Sequence, residues 1–132
     1  MKVSIDSRTA KPGDYFIPIK GKNFDGRDFI PDAIKNGATW LDVDLHQFTK
    51  KYRKKLNATV IGITGSYGKT TVKDMLYSVL SPHFNVVKNE QNNNNEMGVP
   101  LTLLSANAST DIILVEMGMR NPKDIQLLSN IA

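Results

Sequence analysis

An apolar run that passes directly into a glycine loop carrying a lysine and paired threonines constrains this chain more than any other feature. Residues 60–71 read V-I-G-I-T-G-S-Y-G-K-T-T. A run of that kind, followed by a helix, is a phosphate site at the end of a strand. Gly65 and Gly68 let the backbone aim its N–H groups at an anion, Lys69 supplies a point charge, and Thr70 offers a hydroxyl to Mg²⁺. The usual phosphate-loop spacing, with four residues between the glycines, would need glycine at position 63, where the chain has Ile63. The fit is to a shorter loop, T-G-x-x-G-K-T-T, at residues 64–71. With no G-x-G present, a dinucleotide fingerprint is a poor reading. Val72, Met75, Leu76, Val79 and Leu80 then follow at helical spacing, which predicts a helix with these residues on its apolar face.

The pattern around the loop sets the fold class, which is α/β. From residue 59 onward, apolar strands without alternation are each followed by a helix, as in a parallel sheet covered on both faces. Ser81-Pro82 ends the loop helix, and Asn85, Val86 and Val87 form a short strand. A polar run over residues 89–96 leads to a helix near residues 100–104, and residues 111–116 form a strand that delivers Glu116 at its carboxyl end. Asn121-Pro122 reads as the N-cap and first-turn proline of a last helix through Ile125, Leu128 and Ile131.

Before residue 59, Val3 and Ile5 alternate with polar residues, and Lys11-Pro12-Gly13-Asp14 turns into a strand-like stretch at 15–19, giving a hairpin or paired strands. Residues 28–36 read as a short helix stopped by Gly37, and 38–43 as a strand. Leu45, Phe48, Tyr52 and Leu56 line one face of an amphipathic helix, and Asn57-Ala58 closes a small first domain. Two domains are therefore expected, at 1–57 and 58–132. Three parallel strands make a thin sheet for a nucleotide enzyme, so a truncated chain is expected.

Composition narrows the function. With 40% hydrophobic residues in 132, the chain can bury a core and is not disordered. A formal charge of +4 raises the question of nucleic acid. Much of the excess sits in Lys50, Lys51, Arg53, Lys54 and Lys55, which reads as a solvated helix face. Only Tyr52 interleaves there, and no nucleic-acid recognition motif occurs. The lack of cysteine removes disulfides and thiolate metal sites and suits the cytoplasm. No apolar run approaches membrane-spanning length and the first residues do not form a signal peptide, so the chain reads as soluble.

Ligands of open parallel sheets sit beyond the carboxyl ends of the strands, where both the glycine loop and Glu116 fall. The two are expected to face one Mg²⁺, which takes hard oxygen ligands and keeps several waters. Taken alone, Glu116 reads equally as a surface carboxylate. Asn92, Asn93, Asn94 and Asn95 read on composition as a low-complexity loop. Asp6-Ser7-Arg8 could bind an anion through Ser7 and Arg8 or be an ordinary turn. His46 and His83 are isolated from each other and receive no role.

These residues together resemble the Mur ligases, and within them the MurF type, which adds D-alanyl-D-alanine to UDP-N-acetylmuramoyl-tripeptide. The resemblance covers nearly the whole chain. It rests on D-S-R at 6–8, P-G-D at 12–14, G-x-x-x-D-G at 21–26, Y-R at 52–53, I-G-I-T-G-S-x-G-K-T-T at 61–71 and K-D-M-L at 73–76. Two further stretches favour the MurF type, N-N-E-x-G-V-P-L-T-L-L at 94–104 and E-M-G-M at 116–119.

The resemblance implies an ATP-dependent amide ligase of peptidoglycan precursor synthesis, working through an acyl phosphate. It implies that Gly65, Ser66, Tyr67, Gly68, Lys69, Thr70 and Thr71 hold ATP, and that Lys69 and Glu116 serve catalysis. Thr70 and Glu116 would bind Mg²⁺, Asn94 and Asn95 would lie toward the muramoyl peptide, and Ser7 and Arg8 toward the uridine diphosphate. Between Ala38 and Leu45 the first domain is shorter than the family's, and Asn121-Pro122-Lys123-Asp124 replaces its usual glycine-glutamate. The rest of the ATPase sheet and a C-terminal domain are expected to lie outside the chain, which by itself would be inert in ligation. A sister ligase, adding the third peptide residue or extending folylpolyglutamate, and a non-catalytic nucleotide-binding module are the alternatives.

Overall fold

The computed structural model describes residues 2–90 and 93–132. The chain forms two compact units, Met1–Phe48 and Thr49–Ala132.

In the first unit, β1 (Val3–Ser4), β2 (Tyr15–Phe16) and β3 (Thr39–Trp40) make a parallel sheet in the order β1-β2-β3. Of the two alternatives, a hairpin or paired strands, the structure has paired strands, and they run parallel, with a turn at Gly13 (φ +87°) on the return path. The strands are shorter than the apolar stretches. Ile17 still donates to Ser4 O at 3.0 Å, but Pro18 has no N–H to continue the ladder. Asp25 caps a 3₁₀ turn (Gly26–Phe29) by accepting from the Arg27 N–H, and α1 (Ile30–Lys35) continues from it. Gly37, at φ +87°, stops that helix as expected, donating to Ile34 O at 2.9 Å. Phe16, Ala10, Ala33 and Ala38 form the small core, with Ile30 against it.

α2 (Leu45–Arg53) crosses the division between the units. The sequence closes the first domain at residue 57, but the end of α2 is bonded into the second unit. Tyr52 Oη donates to Ala106 O at 2.7 Å. The Arg53 guanidinium donates to the carbonyls of Leu56, Ala58 and Ala132, so this member of the basic cluster is not a solvated charge. Its neighbours Lys50, Lys51, Lys54 and Lys55 are exposed as expected.

The second unit is a three-layer α/β arrangement. β4 (Thr59–Ile63), β5 (Val86–Lys88) and β6 (Ile112–Glu116) are all parallel in the order β4-β6-β5. Every residue of the central β6 is buried, and its side chains divide by alternation. Ile112 and Leu114 pack with Ile63 toward α3 (Lys69–Leu80), meeting Leu76, Tyr77 and Leu80. Ile113 and Val115 join Val99 and Leu103 of α4 (Gly98–Ser105) and Leu128 and Ile131 of α5 (Asp124–Ile131) on the other face. Both faces of the sheet are covered, which is why β6 reads as an unbroken apolar run.

Two helices differ from expectation. In α3, Val72, Met75 and Val79 are exposed, while Lys73 is 2% exposed and faces the sheet. The last helix starts at Asp124 rather than after Asn121, and the residue before it, Lys123, is left-handed at φ +76°. Asp124 Oδ2 accepts the N–H groups of Arg120 and Asn121 and folds this segment into a loop.

Candidate functional site

The glycine loop leaves the carboxyl end of β4 and feeds α3, whose first residue is Lys69. Gly65 (φ +149°) and Gly68 (φ +78°) hold backbone conformations that disfavour other residues. Ser66 and Tyr67 between them are exposed, Tyr67 at 95%. Lys69 Nζ folds back to donate to Gly65 O at 2.8 Å, closing the loop over itself.

Thr70, the second residue of α3, points at the end of β6 and donates through Oγ1 to Glu116 Oε2 at 3.0 Å. The expected convergence of loop and carboxylate is thus present in the geometry. Thr71, the other threonine, is exposed. One turn further along α3, Lys73 Nζ reaches the same Glu116 Oε2 at 3.1 Å, and both side chains are buried. Asn94 Nδ2 donates to the other oxygen, Oε1, at 3.0 Å. Burial by itself would raise the Glu116 carboxyl, but the hydrogen bonds from Asn94, Lys73 and Thr70 outweigh it, and the group ionises below its ordinary value.

The backbone of Glu116 is held as firmly as its side chain. Asn89, 1% exposed, accepts the Glu116 N–H on Oδ1 at 2.8 Å and donates through Nδ2 to the Glu116 carbonyl at 3.0 Å. β5 ends at Lys88, and the Asn89 carboxamide continues its ladder by acting as a substitute peptide group. Its Nδ2 also reaches Asn93 O at 2.9 Å, which ties the asparagine run to the site.

That run is not a loose linker in the described residues. Asn94 spends its amide on Glu116, while Asn95 Oδ1 accepts the N–H groups of Met97 and Gly98 and caps the start of α4. Gly118 N–H donates to Asn94 O at 2.7 Å, and a Cβ on Gly118 would stand 2.9 Å from the Asn94 carboxamide, pushing that amide from its place against Glu116. Asn92 lies outside the described residues. Asn94 and Asn95 both line a cleft of about 250 Å³ beside the loop, together with Lys69, Met119, Arg120 and Asp124.

Ser7 and Arg8 belong to the first unit. Ser7 is buried, and its carbonyl accepts from Asn36 Nδ2 at 2.9 Å. Arg8 is exposed and grips Asp6 through Nε and Nη2 at 2.9 and 2.7 Å.

The donor set suits a small hard cation. Thr70 Oγ1 and Glu116 Oε2, 3.0 Å apart, match the roughly 3 Å between adjacent oxygens around an octahedral ion with bonds near 2.1 Å. Among the described residues no group of three or more histidine, cysteine or carboxylate side chains could hold a metal, so most ligands to such an ion would come from phosphates and water.

Residues 63–132, more than half of the chain, match the description of the Mur ligase middle domain. The chain belongs to the Mur ligase family. This Mur ligase chain is similar to UDP-N-acetylmuramoyl-tripeptide--D-alanyl-D-alanine ligases, at 38% identity over 151 residues to that of Bacillus subtilis and 37% over 151 residues to that of Synechocystis. Each alignment covers 98% of this chain and 33% of the relative, so the chain spans about a third of their length. As the chain has 132 residues, at least 19 of the 151 aligned positions have no counterpart in it. Among solved structures, the UDP-N-acetylmuramoylalanyl-D-glutamyl-2,6-diaminopimelate--D-alanyl-D-alanyl ligase from Acinetobacter baumannii superposes with a TM-score of 0.88, at 31% identity over 98% of this chain and 33% of that one. MurF ligase from Thermotoga maritima in complex with ADP gives 0.83 at 34% identity, over 99% and 35%.

Sequence reasoning missed Asn89 and the buried place of Lys73. The signal for Asn89 was its position, at the end of β5 and one residue short of completing the ladder beside Glu116.

Proposed function

We propose that this Mur ligase chain carries the Mg-ATP site of an amide ligase that joins D-alanyl-D-alanine to UDP-N-acetylmuramoyl-tripeptide. The observation that carries the reading is the meeting of the Thr70 hydroxyl and the Glu116 carboxylate, 3.0 Å apart, at the strand ends next to the glycine loop. The whole reaction with its substrates is supported by the relatives' names and by the fold they share, and a cytoplasmic setting belongs to the same reading.

In this reading the backbone of Gly65, Ser66, Tyr67 and Gly68, with the amino end of α3 and Thr71, cradles the phosphates of ATP. Lys69 exchanges its bond to Gly65 O for the terminal phosphates. Thr70 and Glu116 would hold Mg²⁺, which when bound neutralises phosphate charge. A substrate carboxylate oxygen attacks the γ-phosphorus and ADP leaves; the amine then attacks the acyl carbon, phosphate leaves and the amine gives up a proton. Such transfer needs positioning and charge neutralisation more than covalent help from the protein, which is what these residues supply. Asn94 and Asn95 border the cleft assigned to the muramoyl peptide, Asn94 through its hold on Glu116 and Asn95 through its cap on α4. Ser7 and Arg8 would serve the uridine diphosphate, with Asp6 orienting the guanidinium.

Replacing Lys69 by alanine is expected to weaken Mg-ATP binding by about 1.5–3 kcal/mol, the scale of a charge-assisted contact. Isothermal titration checks this. Equal affinity in variant and parent would remove the loop from the nucleotide site.

A further inference from the structure

We infer that Lys73 is a positioning residue that stands in for the divalent cation, pairing with Glu116 when no ion is bound and making the site take its ion together with nucleotide. The inference rests on the reading that Thr70 and Glu116 hold that cation.

Three observations carry it. Lys73 is 2% exposed and its Nζ lies 3.1 Å from Glu116 Oε2, the same oxygen that faces Thr70. An ammonium 3.1 Å from that atom does what an ion there would do, giving the buried carboxylate a counter-charge. Next, Glu116 is fixed by Asn89 through its backbone and by Asn94 through Oε1, so it stays in place whichever cation faces Oε2. Finally, the pair is close to neutral as a unit, among the described residues no group of three or more histidine, cysteine or carboxylate side chains could hold a metal, and the carboxylates of Glu96 and Asp124 that line the adjoining cleft share it with Lys69 and Arg120. A divalent ion entering next to Lys73 meets repulsion from the ammonium and attraction from one carboxylate. Nucleotide phosphates supply the missing negative charge, which makes the ion and the nucleotide arrive together.

Lys69 and Lys73 therefore divide the work along one face of α3. The half-buried Lys69 at the loop meets the phosphates, and the buried Lys73 pairs with the carboxylate behind them.

The test is Mn²⁺ binding to the 132-residue chain, read by the electron paramagnetic resonance of free Mn²⁺, with and without ATP, alongside thermal melting in EDTA and in Mn²⁺. Lys73→Gln keeps a donor for Glu116 and removes the charge; Lys73→Met removes both. The parent is expected to bind Mn²⁺ weakly alone and strongly with ATP. Lys73→Gln is expected to bind Mn²⁺ alone at least about tenfold more tightly than the parent, the smaller end of what Coulomb's law gives for a single and a double charge a few ångström apart in water. It should also melt below the parent in EDTA and recover with Mn²⁺. Mn²⁺ affinity equal to or below the parent's in both variants, or failure of both to fold with Mn²⁺ as well as without, would overturn the role of Lys73 alone. Absence of Mn²⁺ binding by the parent even with ATP would overturn the cation site itself.

Discussion

Replacing Glu116 by alanine is expected to cost about 3–5 kcal/mol of stability in the absence of divalent ions, because it leaves a buried ammonium without a counter-charge. The side chains of Lys73 and Glu116 are 2% and 6% exposed, so water cannot take over from the lost partner. A loss of this size is comparable to the whole stability of a small domain. The companion variant, Lys73→Met with Glu116→Ala, removes both charges and should recover most of the loss, since an apolar replacement of a buried pair is often neutral. Urea unfolding of the three proteins measures it. Single and double variants of equal stability would mean that the pair is not electrostatically coupled. The acid limb has a definite sign. Because Glu116 ionises below its ordinary value when folded, its contribution is complete above that value and is lost as pH falls through the folded one.

Asn89→Ala is expected to destabilise the second unit by about 2–6 kcal/mol, from two buried backbone groups of Glu116 that each lose a partner at roughly 1–3 kcal/mol. Asn89→Asp isolates the donor half, since aspartate can still accept the Glu116 N–H but cannot donate to its carbonyl. Thermal unfolding should rank the parent above both variants. If Asn89→Ala melts with the parent, the amide is not completing the ladder and the fixed placement of Glu116 has another origin.

The parts of the fold legible in the sequence were those with a local cause. The glycine loop, the buried β6 and the stop at Gly37 each follow from the residues that make them, and the structure has all three. The helix face was misjudged because rotation of α3 is decided by partners far along the chain. Thr70 and Lys73 must meet Glu116, which turns Leu76, Tyr77 and Leu80 to the sheet and leaves Val72, Met75 and Val79 about 100° around the helix in solvent. An apolar period shows that a helix has a face; the residues that are bonded show where it points. Lys73 passed unnoticed for the same reason, as a lysine in a helix is ordinarily a solvated charge. The sequence left a hairpin or paired strands open, since alternation near residues 3–5 and 15–19 is the same whether strands pair in parallel or not, and the strands pair in parallel. Asn94 and Asn95 were read as facing a ligand, and their amides are spent first on Glu116 and on the start of α4.

The most direct test of the central claim, that the glycine loop and Glu116 share one Mg-ATP site, is the ATP affinity of the parent and of the double variant Lys73→Met with Glu116→Gln, each titrated in magnesium and in EDTA. Removing both charges leaves no buried ammonium without a partner, and glutamine keeps the shape of the side chain. The parent should bind ATP more tightly in magnesium than in EDTA, and the variant should lose most of that difference while its affinity in EDTA stays near the parent's. An equal loss of affinity in both buffers would contradict the account, because Glu116 would then act on the nucleotide or on the fold and not through the ion.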